Sequence, residues 1–172
     1  GNGGGIAIRD MDYSFNEGEF AQTNNSEFIN NFATGGGGGI FIYDSDVNIS
    51  NSTISNNVSN TDGGGAYFDH SDNSIIENST FSDNSSYSNT GFNGGGAIFC
   101  NESSITIDSS VINNNYASRG GGISVRKIGA AGYGINISNS EVSNNYAFST
   151  GGGMYFDGRY ATSNSIIENV II

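Results

Sequence analysis

The chain has 172 residues, a formal net charge of −12, 27 glycines, one cysteine and neither proline nor tryptophan. Only five Lys and Arg stand against 17 Asp and Glu, so there is no basic footprint for nucleic acid, and attraction to an anionic membrane surface is disfavoured on the same ground. No apolar run approaches the length of a membrane-spanning helix, and the lone Cys100 can make no intrachain disulfide, which leaves it as a small residue just past a strand.

The first predicted strand is Gly3-Gly4-Gly5-Ile6-Ala7-Ile8. The same phrase returns as Gly37-Gly38-Gly39-Ile40-Phe41-Ile42, Gly63-Gly64-Gly65-Ala66-Tyr67-Phe68, Gly94-Gly95-Gly96-Ala97-Ile98-Phe99, Gly120-Gly121-Gly122-Ile123-Ser124-Val125 and Gly151-Gly152-Gly153-Met154-Tyr155-Phe156. The starts step by 34, 26, 31, 26 and 31 residues, a period that marks a solenoid or array. A second phrase lies between the triplets. It is weak from Asn25 to Asn31, full at Ile49–Asn57, Ile76–Asn84, Ile107–Asn115 and Ile137–Asn145, and breaks off at Ile167–Ile172.

Aligned on these phrases, the chain falls into columns. One apolar column is Phe28, Ile54, Phe81, Ile112, Val142 and Ile172; another is Ile49, Ile76, Ile107, Ile137 and Ile167. The glycine strands add Ile8, Ile42, Phe68, Phe99, Val125 and Phe156. Two polar columns accompany them: Asn25, Asn51, Asn78, Ser109, Asn139 and Asn169, and Asn31, Asn57, Asn84, Asn115 and Asn145. Apolar residues within a phrase alternate with period two, which is strand periodicity with one buried face, and no window carries a helical stripe. Asn, Ser and Gly are poor helix formers that suit sharp corners. The columns predict an all-β fold, a single-stranded parallel β-helix of about six coils, with in-register Asn side chains forming ladders along the axis. One β-helix domain spans 1–172. The glycine strand opens the chain and the last phrase stops part-way, which predicts a segment of a longer array or a subunit that stacks head to tail on copies of itself.

The best place for chemistry is the end of each glycine strand. Equivalent positions hold Arg9, Tyr43, Asp69, Cys100, Arg126 and Asp157, and the next column holds Asp10, Asp44, His70, Asn101, Lys127 and Gly158. Carboxylates on adjacent coils at Asp10, Asp44 and Asp69 are candidate calcium ligands, because coil spacing lets them share a hard cation. The plainer reading is a solvated acidic edge. His70 is the only histidine and has no Ser or Cys placed beside it, so no catalytic residue is assigned and no cofactor is required beyond candidate calcium. The outward column of the glycine strand holds Ala7, Phe41, Tyr67, Ile98, Ser124 and Tyr155. Phe41, Tyr67 and Tyr155 are candidates for surface binding of host or matrix glycans, or else they lie under a neighbouring loop. Of eight sequons, Asn48, Asn101 and Asn136 are the candidate glycan acceptors, since Asn51, Asn57, Asn78 and Asn84 fall in the ladder columns.

The paired phrase resembles the repeat of the chlamydial-type polymorphic outer-membrane proteins, which alternates a Gly-Gly-Ala-Ile-like motif with Phe-x-x-Asn. Gly95-Gly96-Ala97-Ile98 matches the first, and Phe28-Ile29-Asn30-Asn31 and Phe81-Ser82-Asp83-Asn84 match the second. The resemblance covers nearly the whole chain. It implies a right-handed β-helix, export to the cell surface or exterior, and an adhesive or structural role; the function expected of the chain is accordingly non-enzymatic. The alternative is a carbohydrate-binding or polysaccharide-degrading β-helix module.

Overall fold

The computed structural model describes residues 1–9, 21–88, 94–126, 134–158 and 165–172. The described residues form four parallel sheets. Sheet A stacks Ile6–Arg9, Ile40–Tyr43, Ala66–Asp69, Ile98–Asn101, Ile123–Arg126 and Met154–Asp157. Sheet B stacks Ala21–Asn24, Val47–Ser50, Ser74–Glu77, Ile105–Asp108, Ile135–Ser138 and Ile166–Glu168. Sheet C stacks Glu27–Ile29, Thr53–Ser55, Thr80–Ser82, Val111–Asn113 and Glu141–Ser143, and sheet D stacks Phe32–Ala33, Val58–Ser59, Ser85–Ser86, Tyr116–Arg119 and Tyr146–Thr150. The chain visits A, B, C and D in turn, and each strand pairs in parallel with those one coil before and after. This is the expected β-helix, with six strands in sheets A and B and five in C and D among the described residues.

The inward positions carry the apolar columns. Ile42, Phe68 and Val125 from sheet A, Ile49, Ile76, Ile107 and Ile137 from sheet B, and Ile54, Phe81, Ile112 and Val142 from sheet C form one continuous core. Each such side chain stabilises the fold by about 1.5–3 kcal/mol relative to exposure. Sheet D contributes only small inward residues, with Ala33, Ser59, Ser86 and Ala117 buried.

Among the described residues, the corners are turned by single left-handed residues. Between A and B it is Asp44, His70 or Glu102; between B and C, Asn25, Asn51, Asn78, Ser109, Asn139 or Asn169; between C and D, Asn30, Asn56, Asp83, Asn114 or Asn144. Between D and A it is a glycine, as at Gly63 with φ +61. Asn and Gly dominate because they enter this region at least cost.

The residue after a left-handed corner turns inward, and its side chain caps the backbone of the adjacent coil. Asn31, Asn57, Asn84 and Asn115 each donate backbone N–H and Nδ2 to Oδ1 of the next Asn in the column, at 2.9–3.0 Å. Nδ2 also reaches back to a sheet C carbonyl, as from Asn84 to Ile54 at 2.9 Å. A second ladder runs through serine. The backbone N–H of Ser26, Ser52, Ser79 and Ser110 donates to Oγ of the next serine at 3.1–3.2 Å, ending on Ser140. Buried polar groups are thereby paired, without which each would cost about 1–3 kcal/mol.

The glycine triplet answers a different demand. A Cβ on Gly64 would lie 2.4 Å from the Gly96 carbonyl oxygen and 2.5 Å from that of Ser85, so strand D packs directly on this backbone. A Cβ on Gly65 would lie 2.7 Å from the Ala97 carbonyl oxygen and 3.2 Å from the Asn84 amide, and the equivalent position in the next coil is taken by Ala97.

Two readings of the columns are corrected. The fourth glycine phrase begins at Gly95, not Gly94: Gly95 has φ +72, and Ile98 pairs with Ala66 and Ile123. Phe99 therefore joins the outward column in place of Ile98, while Cys100 turns inward beside Phe68 and Val125, because a one-residue shift exchanges the faces of a strand. The Asn51 column is also not interior. Asn51 and Asn78 are exposed corner residues, and only the Asn57 column is a buried ladder.

Candidate functional site

The A-to-B corner gathers the titratable side chains. Tyr43, Asp69, Asn101 and Arg126 are register partners at the strand ends, followed by the corner residues Asp44, His70 and Glu102. Asn101 donates Nδ2 to Asp69 Oδ1 at 2.7 Å, and the same oxygen lies 3.0 Å from His70 Nδ1. His70 Nε2 lies 3.1 Å from Glu102, and its ring packs edge-on to Tyr43 with centroids 6.0 Å apart. The imidazole thus bridges carboxylates of adjacent coils on an open corner, where such pairs contribute about 0–1 kcal/mol. Glu102, not Asn101, is the neighbour of His70, a consequence of the fourth-coil shift.

Asp10 lies outside the described residues. Asp69 pairs in register with Tyr43 rather than Asp44 and spends its Oδ1 on Asn101 and His70. Among the described residues, no group of three His, Cys, Asp or Glu side chains is placed to hold a metal ion. Two open depressions each present a single carboxylate, Glu141 in one and Asp72 in the other.

The outer face of sheet A is closed rather than open. Phe41, read from the sequence as a surface-binding residue, is 3% exposed and 1% is found for Phe99. The rings of Phe41, Tyr67 and Phe99 form an edge-to-face column with centroids 5.3 and 5.0 Å apart. Arg9 lies 4.9 Å over Phe41. Arg119 lies 5.2 Å over Tyr155 and donates to its hydroxyl at 3.1 Å. Burial, with Asp69 and Asp62 nearby, pushes the Tyr67 phenol well above its ordinary range. Burial alone raises the Cys100 thiol. Phe41 is therefore covered rather than offered to a ligand, with Tyr67 and Tyr155 half-buried in the same layer.

Apart from Tyr43 at the end of its sheet A strand, the exposed aromatic residues among those described lie on or beside sheet D. Tyr116 and Tyr146 stack at 5.6 Å with planes 9° apart, and Tyr87 lies 6.0 Å from Tyr116. Exposure is 57% for Tyr87, 59% for Tyr146 and 76% for Phe148. The sequence signal was present as Tyr116-Ala117 above Tyr146-Ala147, each directly following the ladder Asn.

Of the sequon residues, Asn136 is exposed on sheet B, whereas Asn48 and Asn101 are half-buried with their Oδ1 atoms enclosed. Asn101 is further held by Asp69.

Four parallel sheets, left-handed corners and polar ladders define a parallel β-helix built for coil-to-coil regularity. The family model described as "Right handed beta helix region" matches residues 1–171, and the chain belongs to that family. No curated protein and no solved structure matches it.

Proposed function

We propose that this chain is a length of structural rod from an exported surface protein, adhesive or load-bearing and not catalytic. The observation that carries this reading is the use of the buried polar side chains. The Asn and Ser columns are spent on the backbone of adjacent coils, in the same way from Asn31 to Asn145 and from Ser26 to Ser140. Regularity of this kind resists extension and leaves the side walls for contact. The resemblance of the repeat to polymorphic outer-membrane proteins supports export, and a −12 charge suits a salty exterior. Copies of the chain and glycans are its partners in this reading. Asn136 is the sequon best offered to a glycosylating host, and a melting midpoint raised by calcium would assign an ion to the acidic corner.

Antibodies against the chain, applied to unpermeabilised source cells, should label the surface. Label appearing only after permeabilisation would overturn export. Incubation with neutral and acidic polysaccharides should release no new reducing ends or unsaturated products, and turnover lost in Asp69→Asn or His70→Gln would make the chain an enzyme instead.

A further inference from the structure

Sheet D differs from the other three faces in charge. Sheets A, B and C carry Asp69 and Asp157, Glu77, Asp108 and Glu168, and Glu27 and Glu141 respectively. None of the five strands of sheet D carries a carboxylate, although the chain has 17. Its one charged residue, Arg119, is turned over the Tyr155 ring at the edge of sheet A. The face is made of Tyr87, Tyr116, Tyr146 and Phe148, with Ser85, Ser118 and Ser149 around them.

We propose that this aromatic wall is a binding site for an uncharged polysaccharide lying along the rod axis. Charge selects the occupant. An anionic polymer meets the repulsion of a chain at −12, and a cationic partner finds its counter-charges on sheets A, B and C, not here. A neutral, hydroxyl-rich chain needs what sheet D provides: apolar rings with a polar tip, and hydroxyls beside them. The rings follow one another at 5.6 and 6.0 Å along the stack, so an extended polymer meets several in succession. Tyr146 has one face on Tyr116 and remains 59% exposed, and Phe148 is more open still. Three rings fixed on backbone ladders lose little conformational freedom on binding, which favours weak contacts repeated along a polymer. The inference deepens the adhesive reading above and rests on it.

The test is retention of the purified chain on cellulose, on chitin and in gels containing a soluble neutral glucan, with polygalacturonate as the anionic comparison. With no tryptophan present, emission comes from the nine tyrosines, three of them in the wall, so the change on binding is read as the difference between parent and double variant. Tyr116→Ser with Tyr146→Ser, and separately Phe148→Ser, remove the wall; Tyr43→Ser, an exposed tyrosine of sheet A, is the control. Circular dichroism and melting establish that each variant is folded. At least one neutral polymer should retain the parent and change its tyrosine emission, with retention insensitive to salt, at least tenfold weaker in the double variant and unchanged in Tyr43→Ser. No retention by any neutral polymer, retention on polygalacturonate alone, or equal retention of parent and folded double variant would each overturn the proposal. Sedimentation showing self-association that vanishes in the double variant would assign the wall to a second copy and overturn it as well. Surface labelling without neutral-glycan retention would sink this inference alone, and leave the structural rod standing.

Discussion

Replacing Asn84 by alanine is the sharpest test of the Asn ladder. Asn84 is fully buried, and its side chain joins three coils. Its Oδ1 accepts from Asn57 N–H and Nδ2 at 3.0 Å each, and its Nδ2 donates to Ile54 O at 2.9 Å and Asn115 Oδ1 at 3.0 Å. In the alanine variant, Asn57 Nδ2 keeps Phe28 O and Asn115 Oδ1 keeps the backbone N–H of residue 84. Asn57 N–H loses its acceptor and Ile54 O loses a donor, in a place that water does not reach. At ~1–3 kcal/mol for each of the two stranded groups, the loss comes to about 2–6 kcal/mol, before any cavity is counted. For a chain of this length that lowers Tm by about 4–24 °C. Asn84→Asp keeps the shape but turns an oxygen toward Ile54 O and Asn115 Oδ1, so at neutral pH it should destabilise more than alanine does. Urea and thermal melts of parent, both variants and the exposed control Asn136→Ala measure the differences. If Asn84→Ala stays within about 0.5 kcal/mol of the parent, as a surface substitution does, the ladder does not hold the coils and the reasoning fails.

Three further outcomes follow from the geometry. Gly64→Ala should lower the urea midpoint more than Gly65→Ala, because the first Cβ meets two backbone oxygens at 2.4 and 2.5 Å while the second meets one, that of Ala97 at 2.7 Å, in a column where Ala97 is already accommodated one coil on; equal effects would refute the close-approach account. The Asp108 carboxyl is held below its ordinary range, chiefly by the hydroxyl of Ser138 and then by Asn139 and Ser109. A depressed folded pKa adds stability above the unfolded value, lost as pH falls through the folded one, so melts below about pH 4 should lose less stability in Asp108→Asn than in the parent. The Cys100 thiol is 1% exposed and raised by burial, so a thiol reagent should label it only at the rate of unfolding, and fast labelling of the native chain would contradict its inward position.

Much of this fold was legible because the coils repeat their chemistry. The inward Ile and Phe columns of sheets B and C and the Asn57 ladder stand out in the sequence, since the spacing from sheet B to sheet D is constant. Less was legible where identity alone cannot decide direction. Asn56 and Asn57 are adjacent and alike, yet the first turns a corner left-handed and the second is buried, because only the position after the corner faces a neighbouring backbone. The serine ladder hid inside Asn-Ser pairs for the same reason. The fourth coil is ambiguous in sequence because Gly94-Gly95-Gly96-Ala97 offers two frames; in the frame adopted, Ser103 lies over Ser71 and receives its N–H at 3.0 Å. Sheet D escaped notice because most of its strands are two residues long and face the core with Ala or Ser. The candidate aromatic face was consequently sought on sheet A.

Two residues separate the B strand from the C strand, and two separate C from D, in every one of the five coils where these strands are described. Length differences between coils fall instead between A and B or between D and A, as in the gaps from Arg9 to Ala21, Ser86 to Ile98 and Arg126 to Ile135. The rod therefore has two conserved edges and two editable ones. Foreign peptide grafted after a sheet A strand should leave both ladders in register, whereas one residue added at Asn51-Ser52 would displace the C and D strands of its own coil from those ladders.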